Sequence, residues 1–317
     1  MKNIVAILLV FSFTCVYSQV SHNNTENKYL ILQNNMKIAP LFLSKNYNEC
    51  MGIILDKKKE TIFFATNGKY IHKYNLLNSS EPKLIATINK VKNKWNDDYG
   101  DTFVHEIKLG NDGFIYAVAE NCILKINPKN GNYTTTIKEG FIGPWGAYGL
   151  DLDSVGNIYV GDHHGGIHVY LKNKKWSRKT IISSSTDNST KKSFGGVLLK
   201  NDMLYYLDFE NSSLVSASLT WKNGFPEIIN TKTLDLPIPY PEFMQIWKGD
   251  IFVKAARENT MIRIRNNEVI QKFNFASDNE VSPIVTFSLD IVNDSKCIFY
   301  GMSWGPNGTL YRGELNW

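Results

Sequence analysis

The sequence predicts an all-β fold of six repeated four-stranded units, on three observations. Period-two alternation of apolar and polar residues dominates the chain, and helical periodicity is almost absent. The strand-like runs are separated by short turns rich in Gly, Asn, Asp and Lys. A longer period then recurs every 42 to 52 residues, in GIILDKKKETIFFAT from Gly52, VHEIKLGNDGFIYAVA from Val104, YGLDLDSVGNIYVGD from Tyr148, GGVLLKNDMLYYLD from Gly195, FMQIWKGDIFVKAA from Phe243 and VTFSLDIVNDSKCIFYG from Val285. Each unit opens with an apolar strand, a polar turn and a second strand rich in aromatic and β-branched residues. Two more strands follow, as in YIHKYNL then KLIATI. Four strands repeated six times predict a six-bladed β-propeller.

The last unit ends at GTLYRGELNW with no fourth strand, while a spare run, YLILQ, stands before the first unit at Tyr29 to Gln33. That N-terminal strand is expected to complete the last blade and so remove an exposed edge. Residues 19–317 read as one domain, without helix or linker.

Residues 1–18 read as a secretory signal. Lys2 gives the positive start, Ile4 to Phe13 the apolar run, and Val16 and Ser18 the small residues before a cut at Gln19. The run is too short to span a bilayer, so no membrane span is expected. In a secreted chain the sequons at Asn23, Asn78, Asn132, Asn188, Asn211, Asn293 and Asn307 are glycosylation sites on the surface. Once Cys15 leaves with the signal, Cys50, Cys122 and Cys297 remain, an odd number that leaves at least one thiol unpaired within the chain. The core, not a disulfide scaffold, must hold the fold.

The net charge of +5 comes from scattered lysines, with no run longer than Lys57 to Lys59. No basic stripe suggests nucleic acid. A monomer is expected.

Propeller geometry sorts the loops. The inner strand of each blade crosses the disc, so the first and third turns lie on one face and the second turns and blade connections on the other. The first turns are plain: DKKKE, GNDG, DSVGN, KND, KGD and NDSK. The opposite face collects Trp95, Tyr99, Trp145 and Tyr240 in blade connections. Asp162, His163, His164, Phe209, Glu210 and Trp304 sit in its second turns, and Glu49, His105, Tyr148 and Glu242 where inner strands open. An aromatic-lined mouth with a few charges suits a small-molecule pocket. Trp95, Tyr99, Trp145, Tyr148, Phe209 and Trp304 would supply stacking area. His105, Asp162, His163 and Glu242 would orient a polar or cationic group. The paired histidines of DHHGG can equally be exposed turn residues, and His105 a hydrogen-bonded ring inside the channel.

DLDSVGNIYVGD resembles the repeat of NHL-type propellers. The whole arrangement is similar to the senescence-marker-protein/gluconolactonase and strictosidine-synthase-like superfamily, and has the general look of insect secreted carriers of the ommochrome-binding type. The resemblance implies the fold. It also implies, for the lactonases of that superfamily, a divalent cation held by Glu, Asn, Asn and Asp at the starts of four inner strands. Here the matching positions carry Met51, His105, Tyr148 and Phe194 or Gly195, which do not supply the oxygens a hard cation needs. A shifted set of Glu49, His105, Asp162 and Glu242 is the remaining metal alternative. No GxSxG, HExxH, phosphate loop or CxxC occurs, and no cofactor is expected.

The residues thus point to a secreted, non-enzymatic protein that holds a small hydrophobic or amphipathic ligand. A metal-dependent lactonase or esterase is the alternative. A propeller that binds a protein partner through its glycosylated rim is a third reading.

Overall fold

The period-two runs form strands in a computed structural model of the chain, which describes residues 32–42, 47–78, 81–89, 103–119, 122–138, 146–163, 165–183, 193–256, 258–276, 283–293, 295–305 and 308–316. These belong to a compact unit, Ile31–Trp317. The N-terminal strand is β1 (Leu32–Phe42). The first blade follows as β2 (Met51–Asp56), β3 (Thr61–Thr66), β4 (Tyr70–Asn75) and β5 (Lys83–Thr87). The second is β6 (Val104–Leu109), β7 (Ile115–Ala119), β8 (Cys122–Ile126) and β9 (Tyr133–Ile137). The third is β10 (Ala147–Leu152), β11 (Ile158–Asp162), β12 (Gly166–Leu171) and β13 (Ser177–Ser183). The fourth is β14 (Phe194–Lys200), β15 (Met203–Asp208), β16 (Ser213–Lys222) and β17 (Phe225–Asp235). The fifth is β18 (Pro241–Trp247), β19 (Asp250–Ala255), β20 (Thr260–Arg265) and β21 (Glu268–Ala276). The last is β22 (Ile284–Ile291), β23 (Lys296–Ser303) and β24 (Leu310–Asn316).

Each blade is an antiparallel meander, and the inner strands β2, β6, β10, β14, β18 and β22 touch in a closed circuit. The N-terminal strand corrects one expectation. Its seam with β24 is made by Ile38 to Phe42, antiparallel and further along the chain than the expected run, of which Leu32 and Gln33 pair with β21 and Tyr29 to Ile31 lie outside the described residues. Leu32 to Lys37 instead run parallel to β21, so β1 joins the fifth and last blades into one eight-stranded sheet. The apolar anchors explain the offset: Met36 and Ile38 are buried in the core layer between those two blades.

The hydrophobic core is six layers, one between each pair of neighbouring blades. A middle strand therefore has a blade on either side. Strands β3, β7, β11, β12 and β19 are buried at every position, so both their faces are mostly apolar, with a few buried polar residues such as His168, Asp250 and Lys254 among them. Each fully buried Phe or Ile, such as Phe63, Phe252 or Ile62, contributes on the order of 1.5–3 kcal/mol over exposure. Cys50, Cys122 and Cys297 are buried and free, so the layers carry the fold without a disulfide among them.

Polar side chains stitch the inner circuit. The Leu150 N–H donates to Glu106 Oε2 at 2.7 Å and the Leu199 N–H to Asp151 Oδ2 at 2.7 Å. The Leu289 N–H donates to Gln245 Oε1 at 3.0 Å and the Leu55 N–H to Ser288 Oγ at 3.2 Å. The two other junctions close through glycine. A Cβ on Gly52 would stand 3.2 Å from the Ile107 nitrogen, and one on Gly196 2.8 Å from the Glu242 carbonyl oxygen. Only the missing side chain lets those backbones meet.

Candidate functional site

The site is built by a repeated backbone irregularity. Every inner strand slips register near its start, between Met51 and Ile53, Val104 and Glu106, Ala147 and Gly149, Phe194 and Val197, Pro241 and Phe243, and Ile284 and Thr286. A bulged residue leaves the ladder and its side chain is re-aimed. The bulged positions are Gly52, His105, Tyr148, the pair Gly195 and Gly196, Glu242 and Val285. His105, Tyr148, Glu242 and Val285 line a cavity of about 660 Å³ on the face of the second turns. At the first and fourth blades the bulge carries glycine, and the neighbouring blade's backbone takes the space of the missing side chain.

Rings run across this cavity in sequence. Trp304 lies 6.1 Å from Phe103, Phe103 lies 5.0 Å from His105, and His105 lies 4.5 Å from Tyr148. Tyr148 continues to His163 at 5.8 Å, His163 to Phe209 at 5.6 Å, and Phe209 to Tyr240 at 5.1 Å. The tilted geometries are those aromatic quadrupoles prefer. Ser193 Oγ, 2.7 Å from His163 Nε2, fixes that ring from behind.

Three carboxylates complete the wall. Glu49 and Glu210 are exposed at the rim, and Glu242 is buried. Lys254 lies beside Glu242 in the fifth blade, fully buried, and its Nζ donates to the carbonyls of Ala255, at 2.5 Å, and of Glu258. Burial pushes the lysine down to about 7, against the pull of the Glu242 and Glu258 carboxylates. Cys50 is not a nucleophile in waiting: burial pushes its thiol up to about 12.

Of the residues singled out from sequence, the structure brings Glu49, His105, Tyr148, His163, Phe209, Glu242 and Trp304 to this one cavity. Asp162 is not part of its lining. Asp162 Oδ1 accepts the Gly165 N–H at 3.1 Å, and Oδ2 lies 3.5 Å from His168 Nε2, so the carboxylate serves the turn it begins. The shifted set Glu49, His105, Asp162 and Glu242 is accordingly not assembled around one point. Among the described residues no three His, Cys, Asp or Glu side chains form a group that could hold a metal ion. Trp95, Tyr99, Trp145 and His164 lie outside the described residues, as do the proposed signal and Asn23, Asn188 and Asn307. Asn78, Asn132, Asn211 and Asn293 are exposed, and Asn211 Nδ2 donates to Asp208 Oδ2 at 2.9 Å.

Phe103 was missed. It immediately precedes β6, as Ser193 precedes β14, Tyr240 precedes β18 and Pro283 precedes β22. All four touch the cavity or its rings, so superposing the six units would have exposed the position.

The opposite face has a smaller cavity of about 350 Å³ between the first turns of the second and third blades. Its carboxylates are spent locally, Asp112 on Tyr116 and Lys125, Asp153 on Asn157.

Fold and cavity together define a β-propeller with an aromatic-walled pocket. No family sequence profile matches the chain, and no curated protein matches it in sequence. Solved structures do match. A luciferin-regenerating enzyme is 16% identical with a TM-score of 0.61, over 88% of this chain and 95% of that one. The calcium-binding protein regucalcin from Agrobacterium tumefaciens is 10% identical with a TM-score of 0.62, over 90% and 95%. An auxiliary nutrient binding protein from Bacteroides thetaiotaomicron is 7% identical with a TM-score of 0.63, over 85% and 70%. At these identities the likeness concerns the fold alone. No described helix is long and apolar enough to cross a membrane.

Proposed function

We propose that this is a secreted carrier that holds one small hydrophobic or amphipathic molecule in the cavity, without chemistry of its own. The observation that supports the reading is the run of rings from Trp304 through His105 and Tyr148 to Phe209 around a cavity of about 660 Å³. That is the size and wall chemistry of a small-molecule site. Cys50, behind the lining, is held protonated by burial and is no nucleophile.

The test is native mass spectrometry with metal analysis on protein recovered from the culture medium. One small organic molecule carried per chain is expected. A divalent ion at one per chain, with lactone or ester hydrolysis that a chelator abolishes, would overturn the carrier reading. Absence of the protein from the medium would overturn secretion.

A further inference from the structure

We propose that the cavity selects an organic cation, a molecule with an ammonium head and an apolar or aromatic body. This rests on the ligand-binding reading above. Two independent features of the wall point the same way. The first is charge. Glu49, Glu210 and Glu242 all face the one cavity, and among its described lining residues there is no lysine or arginine. Glu242 is buried in the wall, 4% exposed, and Glu49 and Glu210 stand exposed at the mouth. The second is the rings. Phe103, Tyr148, Phe209 and Trp304 present aromatic surface to the same space, and a ring face attracts a cation, more strongly as water is excluded.

The buried cation beside Glu242 does not cancel this. The Lys254 ammonium is bonded to the Ala255 and Glu258 carbonyls and does not line the cavity. It balances Glu242 from behind the wall and leaves Glu49 and Glu210 as net charge at the mouth. An anionic ligand would meet the Glu49 and Glu210 carboxylates at the mouth and no described lining lysine or arginine. A neutral ligand would use the rings alone.

Calorimetric titration with three probes of similar size tests the proposal: cationic benzyltrimethylammonium, neutral N-benzylacetamide and anionic phenylacetate, at neutral pH and low salt. None of the three titrates near neutrality, so the ligand's charge stays fixed. The cation is expected to bind at least about tenfold tighter than the neutral probe, with the anion weakest. In the double variant Glu49→Gln with Glu210→Gln, both at exposed positions where folding is not at risk, that preference is expected to fall by about threefold or more. Equal or tighter binding of the neutral probe would overturn cation selectivity while leaving the pocket reading intact. A preference for the anion would do the same. No binding by any probe would overturn both. An unchanged preference in the double variant would remove the rim carboxylates from the argument and with them the proposal as drawn.

Discussion

The rings of His105 and Tyr148 lie 4.5 Å apart at 31°, each on the bulged residue of its own inner strand. The pair links two blades and forms the centre of the cavity wall. Tyr148 also reaches His163 at 5.8 Å and Phe243 at 6.2 Å. His105 is almost fully buried, whereas Tyr148 is half-buried and presents itself to the space. Of the two, Tyr148 is the one that can meet a ligand without rearrangement.

Replacing Tyr148 with Ala is therefore expected to weaken binding of an aromatic probe such as Nile red by about tenfold. The stability cost should be modest, about 1–2 kcal/mol, because the side chain packs against the core from a half-buried position. Tyr148→Phe keeps the ring and should keep the affinity. Fluorescence titration beside chemical denaturation reads both quantities. An Ala variant that binds as well as the parent would take Tyr148 out of the pocket's function.

The repeat was legible because it is local. Alternation and turn residues act over a few positions, and six copies of one pattern leave little choice of architecture. Strand direction then sorted the loops onto faces, which is why His163, Phe209 and Trp304 could be placed together from sequence. Asp162 shows the limit. Its position at the end of β11 is the one its neighbours would suggest for a ligand, yet a short carboxylate next to a glycine turn is captured by the nearest backbone N–H. Asp208 at the end of β15 does likewise with Asn211. The offset of β1 has a different origin: which half of a strand pairs with which edge is a matter of register and distant contacts. Phe103 was within reach, since its place before β6 recurs in the other units.

Lys254 should leave a mark on stability against pH. Burial holds its folded value at about 7, below the roughly 10.4 of a free lysine. Between those values the unfolded chain binds a proton that the folded chain does not, so this group makes stability rise with pH. The groups facing it are Glu242 on β18 and Glu258 in the turn after β19. The buried thiols act with the opposite sign. Cys50, Cys122 and Cys297 are pushed up to about 12, so above roughly pH 8.5 the unfolded chain loses protons that the folded chain keeps. The clean window is thus from about pH 7 to 8.5. Urea denaturation across it should show stability rising in the parent and a flatter profile in Lys254→Met, which keeps the apolar stem and drops the charge. Parallel profiles would mean that Lys254 titrates elsewhere.

Asp250 holds two arginines of unequal burial. Arg263 Nε donates to Oδ2 at 2.6 Å from a buried position, while Arg265 binds the same carboxylate from a half-exposed one, Nε to Oδ1 at 2.7 Å. Burial pushes the carboxyl up, but the bonds from Arg265 and Arg263 outweigh it and hold Asp250 below the usual range. Asp250→Asn would leave the Arg263 guanidinium buried without its counter-charge, at a cost of about 3–5 kcal/mol. Arg265→Ala removes only the exposed partner and should cost about 1 kcal/mol or less. The sign with pH follows from the depressed value. The carboxylate's contribution is complete above about pH 4 and is lost as pH falls through the folded value below that. The penalty of Asp250→Asn should therefore be the same at pH 5 and pH 7 and shrink only in stronger acid. Denaturation of both variants at these pH values separates the buried pair from the exposed one. If Arg265→Ala proved as costly as Asp250→Asn, the exposed arginine and not the buried one would be the partner that matters.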